Sequence, residues 1–273
     1  MHLARQLLYI FRIVYKVALR LRVLDTNSLC AEMRMNMSAG LYILHLYPGE
    51  DENRQALLRE AAKCVDPVRC NKAEHLKTMH AKAACLGAGM LLQKMLIDLQ
   101  SGGDFADTVY LEEEELLTQL QNRIRGERTE PVTISYRYGE HGKPSIMGCP
   151  KHFNLSHSGE YVVCAVCDGE VGVDIQKWVP FKERTAERFF APAEWKVLQN
   201  LPTAERTEMF FRLWTRKEAY GKYTGQGIGS AVGENLSGEE TCAEKQIRFW
   251  EMQPDQGYSV AVCVADFGAS KQK

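Results

Sequence analysis

An apolar run over 41–47, LYILHLY, predicts a strand, and PGEDEN closes it with turn residues. A helix follows over 52–64, and the Asp-Pro pair at 66–67 breaks it and begins another. HLKTMHAKAACLGAGMLLQKMLIDL continues with apolar residues at helical spacing, and Gly87 and Gly89 admit a close neighbour. QSGGDFADTVYLEEEELLTQLQNRIRGE is polar and acidic, which predicts a surface helix with loops. EPVTISYRYGEHGKPSI alternates as a strand that ends in a turn built on Gly142 and Pro144. From 153, FNLSHS, YVVCAVC and EVGVDIQ predict three short strands in an antiparallel meander, split by SGE and DGE. Helices return over 182–200 and 204–223 with Pro202 between them, and IRFWEM and YSVAVCVA close the chain as strands. Strand, helices and hairpin thus occur twice without a residue-level repeat, which predicts an α+β fold of two similar halves, 37–170 and 171–273.

Composition narrows the class. A chain of 273 residues, 45% hydrophobic and 25% charged, is long enough to bury a real core. A formal charge of −1 gives no broad basic face for nucleic acid, so any anion site must be local. Nine scattered cysteines without metal-type pairing fit reduced thiols in a cytoplasmic protein. Cys164 and Cys167 form a C-x-x-C, but on a strand residues three apart face opposite sides. Residues 1–36 are basic and apolar, yet the uncharged run 6–11 is too short for a signal core or a membrane span. The expectation for this stretch is a poorly ordered extension, with MSAGLYILHLY from Met37 resembling a natural beginning; an amphipathic helix lying on a membrane or a partner is the alternative.

Candidate chemistry gathers in a few stretches. In VGVDIQKW, Asp174 and Gln176 share one face of the predicted strand, and their oxygens suit a hard cation such as Mg²⁺. In FRLWTRKEAYGKYTGQGIG, Glu218 and Lys222 stand four apart on one helix face, and an exposed ion pair would account for them equally well. The apolar flanks Phe210, Phe211, Leu213, Trp214 and Tyr220 argue for burial, which Lys217, Glu218 and Lys222 tolerate only with partners. FNLSHSGEY offers donors on Ser156, His157 and Ser158, in what otherwise reads as a polar turn. GEHGKPS contains Lys143 but lacks the first glycine and the Ser or Thr of a phosphate-binding loop, and GQGIG follows a helix, unlike a dinucleotide fingerprint.

Taken in order, GKP, FNLSHS, GVDIQ, RFFAPAEW and WTRKEAYGKYTGQGI resemble the larger, monomeric 4′-phosphopantetheinyl transferases that activate peptide and polyketide synthetases. The resemblance is clear from about residue 65 onwards and extends to 41–64 in pattern only. It implies two α+β halves about a pseudo-twofold axis, with coenzyme A in the cleft between them. It also implies Mg²⁺-dependent transfer of the phosphopantetheine arm to a serine of an apo acyl or peptidyl carrier protein, releasing adenosine 3′,5′-bisphosphate. By that resemblance Asp174 and Glu218 ligate Mg²⁺, and Gln176 stands where the family usually has a third acid. Arg69, Lys72, Lys143 with Pro144, Ser156, His157, Lys217 and Lys222 would contact the nucleotide and phosphates. Lys82 would substitute for an Arg and Ser or Thr that the family places where this chain has Ala83 and Ala84. Glu194 matches an acid near the metal-bound water, so Glu218 or Glu194 is the expected base, with Lys222 beside it. Exposed apolar and basic groups in KWVPFKER, 177–184, would favour a docked carrier over two other readings, a coenzyme A or nucleotide pyrophosphatase and a non-catalytic carrier-binding protein. Neither a membrane nor a nucleic-acid partner is expected.

Overall fold

The computed structural model describes residues 39–266 except 104, 106, 128 and 129; the expected N-terminal extension lies outside the described residues. Strand β1 (Ala39–His45) is buried along nearly its whole length. Helix α1 (Glu52–Ala62) begins where Asp51 accepts from the Arg54 amide, and α2 (Pro67–Glu74) where Asp66 accepts from the Val68 and Arg69 amides. Each cap satisfies amides that a helix start leaves without partners. Thr78 caps the 22-residue α3 (Met79–Gln100), most of whose residues are buried. Gly87 of α3 lies against Leu44 and Leu46, where a Cβ would come within 3.1 Å and 3.0 Å of their methyl groups.

The acidic stretch holds a strand that the sequence did not announce. β2 (Thr108–Glu112) pairs in parallel with β1 and runs directly into α4 (Glu113–Glu127). Its first residue of α4, Glu113, is buried because Arg54 of α1 reaches it at 2.6 Å and the Tyr47 amide donates to it at 2.8 Å. Residues 130–146 form only a short hairpin, β3 (Tyr136–Tyr138) with β4 (Pro144–Ile146). β5 (His152–Ser158) and β6 (Tyr161–Cys167) follow as an antiparallel pair, which completes a sheet in the order β2-β1-β6-β5.

β7 (Val171–Lys177) starts a second sheet. The helical stretch after it is two helices rather than one, α5 (Glu183–Phe189) and α6 (Pro192–Asn200). Pro192 drives Ala191 into extended backbone and so separates them. The 22-residue α7 (Thr203–Thr224) ends at Gly225, whose φ of 70° suits a left-handed helix cap. A 3₁₀ turn (Ile228–Ala231) and α8 (Glu239–Glu244) lead to β8 (Ile247–Met252) and β9 (Tyr258–Ala265). The second sheet has the order β7-β9-β8. In both sheets the opening strand pairs antiparallel with the last strand of the closing hairpin, β1 with β6 and β7 with β9.

The expected meander of β5, β6 and β7 is therefore half right. β7 makes no main-chain ladder with β6; it lies along β5, and side chains close the seam. The amides of Val173, Ile175 and Lys177 donate to Asn154 Oδ1 at 3.0 Å, Ser156 Oγ at 3.4 Å and Ser158 Oγ at 2.9 Å. The constant offset of 19 residues means that the two edges run parallel.

Candidate active site

The candidate site grows out of this seam. On β7, Asp174 faces β5 and is 2% exposed. Its Oδ1 accepts from Ser156 Oγ at 2.7 Å and from Lys222 Nζ at 2.5 Å, and its Oδ2 accepts from Gln176 Nε2 at 3.0 Å. Asp174 and Gln176 share a face of the strand, as alternation requires. Lys222 also donates to Ser156 Oγ at 2.9 Å and to the Val173 carbonyl at 3.0 Å. Further along the same strand edge, Lys143 donates to the carbonyls of Val171 at 3.0 Å and Tyr223 at 3.1 Å and to Glu170 at 2.5 Å.

Glycine makes these contacts possible. At Gly172 a Cβ would collide with the Ala219 carbonyl and the Tyr223 amide, so α7 rests on β7 backbone to backbone. That closeness brings Glu218 and Lys222, one helical turn apart, up to Asp174. Sequence reasoning passed over Gly172, although a glycine inside a strand signals a close backbone approach. It also passed over Asn154, buried at the seam.

Glu218 is half-buried, and its carboxyl is held above the ordinary glutamate range. Burial is the first cause and the charge of Asp174 the second, while Lys222 works against both. Two carboxylates thus sit close enough to repel in a partly desolvated place. Among the described residues no group of three or more His, Cys, Asp or Glu gathers as a metal cluster would. The oxygen donors at hand are two carboxylates and the amide of Gln176.

A basic wall faces this edge. His157 is held below the usual histidine range, first by desolvation and then by the positive charges of Lys222, His80 and Lys72, against the pull of Asp174. Lys72 and His80 come from α2 and the start of α3, so three elements bring positive groups toward β5. Arg69 lies against the side chains of Tyr136 and Cys85, and Tyr136 in turn donates to the buried Asp66 at 3.0 Å. Among the described residues Arg69, Lys72 and Lys82 make no ion pair. Ala83 and Ala84 are core residues, each 1% exposed, and offer nothing to a ligand. Lys143 and Pro144 line a cavity of about 640 Å³ with Arg137, His152, Tyr223 and Gln226.

Two expected site residues stand elsewhere. Lys217 and Glu194 are fully buried and pair with each other at 2.8 Å. Lys217 also donates to the carbonyls of Ala231 at 3.2 Å and Glu234 at 2.7 Å. Glu194 accepts from the amides of Ala191 and Leu236, each at 2.9 Å, the first closing the start of α6. Burial depresses the Lys217 ammonium, and Glu194 opposes that shift. The placement differs from the expected contact with phosphate or metal-bound water, because every donor and acceptor of the pair is spent inside the protein. The pair braces α6, α7 and the 231–236 segment behind Glu218. In the 177–184 stretch, Trp178 donates to Ser259 at 2.8 Å and Phe181 stacks on Phe210 at 4.4 Å, while Val179 is 54% exposed.

Comparison with known proteins points one way. A family model described as the 4′-phosphopantetheinyl transferase superfamily matches residues 170–263. A 4′-phosphopantetheinyl transferase of Bacillus subtilis is 36% identical over 151 residues, 50% of this chain and 65% of that protein. The 4′-phosphopantetheinyl transferase Sfp of Bacillus subtilis (strain 168) is 33% identical over 48% of this chain and 63% of its own length. The 4′-phosphopantetheinyl transferase HetI of a Nostoc species is 37% identical over 51% and 64%. The chain therefore spans just under two thirds of the length of these relatives. The segment that carries Asp174, Glu218 and Lys222 lies within the residues that this family model matches.

Proposed function

We propose that the protein transfers the 4′-phosphopantetheine arm of coenzyme A to a serine of an apo acyl or peptidyl carrier protein and releases adenosine 3′,5′-bisphosphate. The observation that carries this reading is the meeting of Asp174, Glu218 and Lys222 at one strand edge, opposite a basic wall from the other half of the chain. The two halves, which share the order β1-β6-β5 and β7-β9-β8 apart from the added β2, are then related by a pseudo-twofold axis, and coenzyme A lies in the cleft between them. A cytoplasmic monomer fits this reading; no helix among the described residues is long and apolar enough to cross a membrane.

The chemistry asks for charge control. A serine hydroxyl is a weak nucleophile, and the diphosphate repels anything that approaches with its proton removed. The carboxylates of Asp174 and Glu218, with the Gln176 amide, form an oxygen donor set that fits Mg²⁺, and the mutual repulsion of the two acids is the charge imbalance that a cation relieves. Bound there, Mg²⁺ would neutralise diphosphate charge and polarise the phosphorus under attack. Glu218, its proton affinity already raised, accepts the serine proton as the new phosphorus–oxygen bond forms and the bond to the adenosine bisphosphate breaks. Lys222, Lys143, His157, Arg69, Lys72 and Lys82 receive the phosphates, and Ser156 keeps Asp174 aimed. Positioning and electrostatics account for most of the rate in such transfers.

The test is to incubate the protein with several apo carrier proteins, coenzyme A and Mg²⁺ and to weigh the carriers by mass spectrometry. Addition of one phosphopantetheine to at least one carrier is the expected result. Hydrolysis of coenzyme A with every carrier unmodified would sink the reading in favour of a pyrophosphatase.

A further inference from the structure

Two lysines of α7, five residues apart, each grip a buried acid in different ways. Lys217 has no exposed surface and is tied to a carboxylate and two carbonyls. Lys222 is 28% exposed, and its ammonium sits on Oδ1 of Asp174 at 2.5 Å. Ser156 donates to the same oxygen, and Gln176 covers Oδ2. Both oxygens of the proposed metal ligand are thus engaged by this chain's own donors, and the strongest of these is a full positive charge on a flexible stem that reaches solvent.

A divalent cation on Oδ1 needs the place that Lys222 holds, because two positive charges cannot share one carboxylate oxygen at contact distance without strong repulsion. An ammonium that leaves Asp174 has only Glu218 near it, an acid that the cation would also claim, and otherwise remains half-buried without an anion, which is costly. A diphosphate laid along the same edge supplies that anion. We propose that the Lys222 ammonium and a divalent cation compete for Oδ1 of Asp174, and that a diphosphate resolves the competition by giving Lys222 a second anion to bind. Cation and diphosphate then bind together far more tightly than the cation does alone. Gln176, neutral where a third acid would stand, sharpens the effect, because it adds no charge to draw the cation in unaided. The inference rests on the metal assignment of the proposed function, and its test separates the two.

The experiment measures Mn²⁺ binding to the full chain by electron paramagnetic resonance, with and without coenzyme A and with no carrier present. Lys222→Met and Lys222→Gln are each expected to tighten Mn²⁺ binding without coenzyme A by about tenfold or more. Lys222→Arg, which keeps the charge, should stay close to the wild type. In the Met and Gln variants the extra tightening that coenzyme A brings should shrink. Mn²⁺ binding that is lost in Asp174→Asn but unchanged in folded Lys222→Met and Lys222→Gln overturns the competition and leaves the metal site standing. Binding that tightens as much in Lys222→Arg as in Lys222→Met overturns it too, since charge would not be the competitor. Mn²⁺ binding indifferent to Asp174→Asn removes the metal assignment and this inference together.

Discussion

Helices α3 and α7 have the same length, 22 residues, and each packs on the sheet of its own half of the chain; both bury apolar residues, but of the two only α7 buries a charged one. α3 buries Met90, Leu91, Leu92 and Met95 completely and meets its sheet through side chains around Gly87. α7 buries Thr215 and Lys217, half-buries Glu218 and Lys222, and meets its sheet backbone to backbone at Gly172. A helix that only stabilises can be filled with hydrocarbon. A helix that presents charges to a reaction must hold them in the interior, and each one then needs a partner that a neighbouring element supplies.

The comparison breaks most plainly in activity. Glu218→Ala is expected to lower carrier modification by about 10²–10⁴-fold, the usual worth of a positioned acid or base, with the circular dichroism spectrum unchanged. Retained activity would reduce α7 to a second α3. Next come the glycines. Gly172→Ala sets a methyl group against main-chain atoms that cannot step aside, and should cost more than Gly87→Ala, whose neighbours are methyl groups of Leu44 and Leu46. Urea denaturation of both variants checks the order, and equal losses would contradict the backbone contact.

Lys217→Ala strands Glu194 in the interior and should cost about 3–5 kcal/mol. Leu92→Ala, its counterpart in α3, opens a cavity and should cost about 2–5 kcal/mol. The two differ in what repairs them: adding Glu194→Gln to Lys217→Ala is expected to restore part of the loss in denaturant melts, whereas no charge change rescues Leu92→Ala.

The smallest effect is a pH dependence. The Glu218 carboxyl is raised by burial and by Asp174, so its neutral form suits the folded protein better than its ionised form does. Its contribution to stability is complete below the ordinary glutamate range and is lost as pH rises through the raised value. Glu218→Gln should therefore melt higher than the wild type near about pH 8, and the gap should close near about pH 4. An equal gap at both would show that the Glu218 carboxyl is not raised in the folded protein.

Much of this was legible in the residues, for definable reasons. Short apolar runs bounded by turn residues exposed β1, β6 and β9, the polar residues set among apolar ones exposed β5 and β7, and Pro202 and Gly225 marked the limits of α7. β2 escaped because its five residues, TVYLE, run straight into an acidic helix with no turn between them. The pairing of β7 escaped because short loops suggest meanders, whereas a strand selects its neighbour by tertiary packing. Asp174, Glu218 and Lys222 could be named from their types and spacing. What separates Lys217 from Lys222 could not, since both are lysines on one helix in an apolar setting; only the fold decides which one is enclosed by Glu194 and which one reaches solvent.

The seam between β5 and β7 has a consequence beyond the site. An exposed strand edge invites pairing with another molecule, and proteins blunt such edges with charge, bulges or covers. Here Asn154, Ser156 and Ser158 occupy the amides of β7 while Lys143 and Lys222 occupy its carbonyls, so main-chain groups that would otherwise be free to pair are capped by polar side chains. Solubility and the proposed chemistry draw on the same few residues. A polar-to-apolar change along this seam should therefore show itself first as clumping of the purified protein, before any assay of its reaction is run.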